Sequence, residues 1–170
     1  MKHLIIVSFF LFVTLLNASD WKVKDNRYFT NALGGSVDEF GFIVYSGKSC
    51  DLEVLLLTFN TTHQRLEDFE DEPVILNFNI DDKIDFQIQA SFTFQWFTEY
   101  KIGFVYFDKF IFNTATIELL TNSKVVTISI DENQKLSMFF DIKSEKFSLV
   151  NMQQFRKKIV QSPCLLNIKN

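Results

Sequence analysis

Between Phe40 and Phe140, apolar residues recur at every second position in one run after another, and that period restricts the fold more than any other feature. Alternation of this kind puts successive side chains on opposite faces of an extended strand, so each run has one dry face that must be covered. The longest run has Ile84, Phe86, Ile88, Ala90, Phe92, Phe94 and Trp96 facing inward, with Gln87, Gln89, Ser91, Thr93 and Gln95 facing water. It follows Val74, Leu76, Phe78 and Ile80 across Asp81-Asp82-Lys83, which makes a hairpin whose long second arm requires a bend or bulge near Ala90. Phe40, Phe42 and Val44 begin the series. Cys50 to Phe59 is apolar on both faces in its second half, as a covered central strand would be, with Cys50, Leu52, Val54 and Leu56 on the inward face. Tyr100 to Phe107 forms a further strand. Val126, Ile128 and Ile130 pair across the Asp131 to Gln134 turn with a strand carrying Leu136, Met138, Phe140 and Ile142.

Two stretches carry a helical signal instead. Within 108–123, Phe110 and Phe112 alternate as a strand would, but Asn113 is placed to cap a short helix through Thr114, Ile117 and Leu120. Near the end, Ser148 caps a helix that presents Leu149, Met152, Phe155 and Ile159 on one face. Arg156, Lys157 and Lys158 fall in its last turns, where cations complement the helix dipole, and Pro163 stops it before Cys164. The chain is therefore expected to be mainly β: a seven- or eight-stranded antiparallel sandwich or partly open barrel, with the C-terminal amphipathic helix along an edge or across an open end. Phenylalanine occurs 21 times, against 5 glycines and 2 prolines, which suits an aromatic interior and not a disordered chain.

The first residues read as an export leader. Lys2 and His3 are basic, Leu4 to Leu16 is apolar, and the small Ala18 and Ser19 precede Asp20. About a dozen apolar residues are too few to cross a bilayer comfortably. The expected division is a signal peptide over 1–19 and one β-rich domain over 20–170, periplasmic or secreted, with no stable membrane insertion once the leader is gone. Of the 17 basic residues only Lys2 leaves with it, so 16 face 21 acidic ones and the mature net charge is 16 − 21 = −5. In an exporting compartment the two cysteines, Cys50 and Cys164, are most simply a disulfide that clamps the tail onto the first apolar strand. The competing use of a thiol with His63 lacks any family signature, and two cysteines with one mature histidine do not make a zinc site.

Candidate sites are few, and none is catalytic, cofactor-binding or metal-binding in pattern. Glu67, Asp68, Glu70, Asp71 and Glu72 form an acidic run that suits a basic partner or a solvated loop, and its spacing does not match a calcium-binding EF-hand. Asp81, Asp82 and Asp85 offer carboxylates at a hairpin for a small carboxylate-dependent hydrolase. Turn aspartates also arise for local hydrogen-bonding reasons. Phe92, Phe94, Trp96, Phe97 and Tyr100 are core by alternation, with Phe97 the exposed member. Nucleic acid is disfavoured by the negative balance and by a basic stripe limited to Arg156, Lys157 and Lys158. Asn60-Thr61-Thr62 is a glycosylation sequon in a eukaryotic host.

Trp21-Lys22-Val23 after the leader, Cys50-Asp51-Leu52 opening a strand, a β-rich middle, Phe140-Asp141-Ile142 leading to a helix, and a closing Cys164 together resemble small exported bacterial proteins. The pattern is similar to the invasion-associated locus B type and to the periplasmic accessory proteins encoded with type VI secretion systems. That resemblance implies a periplasmic, disulfide-bonded β-sandwich without enzymatic activity. The functional expectation is thus an exported binding or accessory protein whose partner is another protein, with the hydrolase as the alternative.

Overall fold

The computed structural model describes residues 21–166; the expected leader, 1–19, and its cleavage position lie outside them. In chain order the strands are β1 (Lys22–Lys24), β2 (Arg27–Asn31), β3 (Glu39–Ser46), β4 (Asp51–Thr61), β5 (Val74–Ile80), β6 (Ile84–Ala90), β7 (Thr93–Phe97), β8 (Ile102–Phe107), β9 (Val125–Ile130) and β10 (Ser144–Ser148). Helix α1 (Thr114–Thr121) precedes β9, and α2 (Met152–Arg156) follows β10. Six strands pair in the order β1-β2-β3-β4-β8-β7 and four in the order β10-β9-β5-β6, every pair antiparallel. The result is an open two-sheet sandwich. Its strand count exceeds the expected seven or eight because the long alternating run is divided and short strands border both sheets.

The period-two reading places most of the core correctly. Phe40, Phe42, Leu55, Leu57, Phe59, Val105 and Phe107 line the inner face of the six-stranded sheet; Val74, Leu76, Phe78, Ile80, Val126, Ile128 and Ile130 line that of the four-stranded one. Aromatic rings bridge the layers: Phe112 meets both Phe42 and Phe78 edge-on, at 5.8 and 5.7 Å between centroids. Each fully buried phenylalanine removes enough apolar surface from water to contribute about 2–3 kcal/mol. The Asn113 signal is also correct, since its side chain accepts the Thr116 N–H at 2.8 Å and α1 buries Ile117 and Leu120.

Four expectations are corrected. The run from Ile84 to Trp96 does not bend within one strand but crosses between the layers at Ser91-Phe92, so β6 and β7 belong to different sheets. Inward parity survives the corner, because Ile88, Ala90 and Phe92 all face the core, and periodicity is therefore blind to it. In the second half of the run the inward face is less dry: Phe94 and Trp96 are half-buried, stacked on each other over Gly103, where a Cβ would come within 2.4 Å of the Phe94 ring.

The strand expected over Leu136 to Ile142 is absent; residues Lys135–Phe139 form a 3-10 turn instead, and β9 pairs with β10. The β9 edge that the expected strand would need is taken by β10. Gln134 marks where the chain leaves the sheet: its side-chain amide bonds both the N–H (2.8 Å) and the C=O (2.7 Å) of Ile75 at the end of β5. Leu136 and Phe140, four apart, are then buried while Met138 is exposed.

The parity of β4 is opposite to that expected. Leu55, Leu57 and Phe59 join the common core, whereas Val54 and Leu56 are buried on the other face, and Cys50 precedes the strand and is only half-buried. Finally, the C-terminal helix is shorter than expected. Ser148 belongs to β10, Leu149 N–H continues the pairing to Lys124 C=O at 2.7 Å, and Asn151 in the left-handed region (φ 69°) starts the five-residue α2. Leu149 and Met152 nevertheless reach the core, and Phe155 and Ile159 pack against it.

Candidate functional site

The acidic run sits on a turn that is fixed from below. Leu66 is fully buried under the 3-10 turn of Gln64–Phe69, and Phe69 stacks on Phe139 at 5.3 Å. Glu70 accepts the Phe94 backbone N–H at 2.8 Å, and the Asp71 N–H donates to Phe92 C=O at 3.0 Å. The Asp71 carboxylate pairs with Lys109, whose pKa is raised by that hydrogen bond. Two of the five acids therefore tie the turn to the edge of β7. Glu67, Asp68 and Glu72 remain exposed with no ion-pair partner among the described residues. Three carboxylates on a fixed turn project negative potential without losing much conformational freedom when a cation approaches.

The Cys50–Cys164 disulfide forms, with Cα atoms 4.9 Å apart, and it is one of several attachments between the tail and β4. Asp51 accepts the backbone N–H groups of Gln161 (2.8 Å) and Ser162 (2.9 Å), and the Ser162 and Gln161 donors hold its carboxyl below the usual range. Asp51 N–H donates to Ser162 C=O at 2.6 Å, and Cys164 N–H donates to Asp51 C=O at 2.9 Å. Two residues further along, Glu53 is buried on the inward face and takes three N–H bonds from Arg156 at 2.6–3.1 Å, plus the Tyr28 hydroxyl. Burial first, and then the neighbouring Glu53 charge, push the Tyr28 phenol well above its ordinary pKa. Arg156 thus serves as a buried counter-ion. Lys158 lies over the Phe155 ring at 4.1 Å, so the basic stripe is in part used internally.

The remaining candidates are separated by their structural partners. Asp81, at φ 51°, accepts the backbone N–H groups of Lys124 (3.0 Å) and Val125 (2.9 Å); Asp85 accepts from Asn79 at 2.7 Å. Only Asp82 of the three has no hydrogen bond among the described residues. His63 lies 3.1 Å from Asp141, while both sulfurs are bridged, so no thiolate stands beside the imidazole. Burial raises the Asp141 carboxyl, but the Thr62 N–H and hydroxyl together with His63 outweigh it and hold it low. The Asn60 Nδ2, the atom a sequon glycan needs, donates to Asp38 at 3.0 Å. Phe97 is half-buried against Phe104, and Tyr100 is the exposed aromatic instead. No group of three or more His, Cys, Asp or Glu side chains converges among the described residues, and none of their helices is long and apolar enough to cross a membrane.

Two shallow grooves flank β6. One, of about 420 Å³, crosses the outer face of the four-stranded sheet over Asn77, Asn79, Asp85, Gln87, Thr127 and Ser129. The other, of about 300 Å³, lies between β6 and the segment leading into α1, against Phe86, Ile88, Phe110 and Phe112. Sequence reasoning did not find the buried acids Asp38 and Glu53. For Glu53 the available signal was a carboxylate inside an otherwise apolar strand, which demands a distant partner when it is buried; Asp38, in the loop before β3, gave no such signal. No family model, curated protein or solved structure matches the chain.

Proposed function

We propose that this chain is an exported, non-catalytic binding or accessory module that uses its acidic turn to capture a basic protein partner. The observation that carries the reading is the division of labour at residues 67–72: Glu70 and Asp71 brace the turn, and Glu67, Asp68 and Glu72 face solvent unpaired among the described residues. A braced cluster of like charge steers an oppositely charged protein and accelerates encounter. The bridged cysteines support an oxidising, periplasmic or secreted location. The hydrolase alternative has less support, since Asp81 and Asp85 are engaged in holding the β5–β6 hairpin and its neighbours.

The test uses Glu67→Gln, Asp68→Asn and Glu72→Gln together, leaving Glu70 and Asp71 to hold the turn. With a partner recovered from the native host, the triple variant associates roughly tenfold more slowly at low salt and loses most of its salt dependence. Capture at the wild-type rate at both low and high salt overturns the electrostatic mechanism. A turnover activity abolished by Asp82→Asn overturns the non-catalytic reading.

A further inference from the structure

Two sheets have four edges, and three of them are short, charged or partly occupied. β1 is three residues long and carries Lys22 and Lys24. On the five-residue β7 the Phe94 N–H is taken by Glu70, and just before the strand the Phe92 C=O is taken by Asp71 N–H. Along β10, Lys146 C=O accepts the Leu33 N–H at 2.7 Å and Phe147 bridges to Ala32. β6 is different. It runs for seven residues without lysine, arginine or proline, the usual guards of an exposed edge.

The register identifies which of its backbone groups are open. Asp81 N–H donates to Val125 C=O (3.1 Å) and Asp131 N–H to Ile75 C=O (3.0 Å), so odd-numbered residues of β5 turn their backbone groups to β9. Even-numbered residues then turn theirs to β6, and they face Ile84, Phe86, Ile88 and Ala90. The N–H and C=O groups of Asp85, Gln87 and Gln89 consequently point away from the sheet, and no described residue bonds them outside the strand ladders.

We propose that this edge pairs with the same edge of a second copy, antiparallel about a two-fold axis through Gln87, joining two four-stranded sheets into one. The sequence of β6 is self-complementary in that register. Gln87 meets the partner's Gln87 and Asp85 meets the partner's Gln89, each pair exchanging both backbone bonds. Phe86 faces the partner's Ile88, and Ile84 faces the partner's Ala90. No like charges stand opposite one another, whereas a parallel in-register pairing would oppose Asp85 to the partner's Asp85. The polar outer row and the apolar inner row both continue across the junction. On the inner side, the groove beside Phe86, Ile88, Phe110 and Phe112 receives the partner's apolar side chains. An edge that pairs with itself about a two-fold axis is used up on both copies, so the contact is isologous and stops at two.

The experiment is sedimentation velocity of the oxidised mature chain over a concentration series. Two variants accompany it: Gln87→Pro removes an N–H that points outward and not one of the β5 ladder, and Gln87→Lys sets two ammonium groups against each other across the axis. Wild type sediments as a dimer at micromolar concentration, and each folded variant shifts to monomer with at least a tenfold weaker association. Should the proline variant fail to fold, the lysine variant decides alone. A wild-type monomer at the highest concentration overturns the proposal, as do higher oligomers or a dimer that persists in Gln87→Lys. A monomer in which the Gln87 amide is protected from hydrogen exchange also overturns it, and assigns the edge to residues outside 21–166.

Discussion

Removing the guanidinium at position 156 should be the most damaging single change to the tail. Glu53 is 4 % exposed, and Arg156 supplies three N–H bonds to its two oxygens. Arg156→Ala leaves a buried carboxylate with the Tyr28 hydroxyl as its remaining partner, which costs about 3–5 kcal/mol. Tyr28→Phe with Glu53→Leu and Arg156→Met replaces the whole network by apolar groups and leaves no orphaned hydroxyl, so it should fall within about 1–2 kcal/mol of wild type. A second substitution separates lost charge pairing from lost packing. Arg156→Met keeps most of the apolar stem but orphans the same buried carboxylate, so it should be nearly as unstable as Arg156→Ala. Urea unfolding of the oxidised proteins measures all of this. A loss below about 1 kcal/mol in Arg156→Ala, or a triple variant as unstable as the single one, refutes the reasoning.

Replacing both cysteines by serine opens a loop of 114 residues and should cost about 4–5 kcal/mol on the chain-entropy account; two titratable thiols in unreduced, denatured protein would show that no bridge forms. Asp38 is fully buried, and that burial raises its pKa from 3.8 to about 6 although Asn60 and Ser36 donate to it. A proton held more tightly in the folded state means its contribution to stability is full below the unfolded pKa and is lost as pH rises through the folded one. Asp38→Asn should therefore flatten the fall in stability between about pH 4 and 6, a difference of about 3 kcal/mol across that window, and an unchanged slope in the variant would count against it.

How far the sequence reaches is visible strand by strand. Phe40, Phe42 and Val44 lie on a strand whose other face is chemically different, so alternation gives the correct parity. On β4 both faces are apolar, and the only tie-breakers are Asp51 and Glu53, whose charge argues for the wet side. Their inward placement depends on Arg156 and on the N–H groups of Gln161 and Ser162, more than a hundred residues away, where no local pattern reaches. The 3-10 turn at 135–139 was hidden for a similar reason. Leu136, Met138 and Phe140 alternate well enough for a strand, but the β9 edge they would pair with is held by β10, which comes later in the chain. At the acidic run, composition reveals the charge. Which carboxylates brace the turn and which face out follows from the neighbouring edge of β7, brought there by the sheet order.

The attachment of the tail to β4 also sets an order of events during synthesis. β4 is one of the two central strands of the larger sheet, paired to both β3 and β8, yet its Glu53 has no counter-ion until Arg156 has left the ribosome, 103 residues later. A carboxylate cannot enter an apolar interior unpaired at neutral pH without a large penalty. The six-stranded sheet must therefore stay unsealed around Glu53 until Arg156 arrives, with Cys50 unpaired until Cys164 follows. Closure becomes a late event, governed by how quickly the segment carrying Arg156 and Cys164 finds β4, and a nascent chain truncated before Arg156 is an open sheet offered to chaperones and proteases.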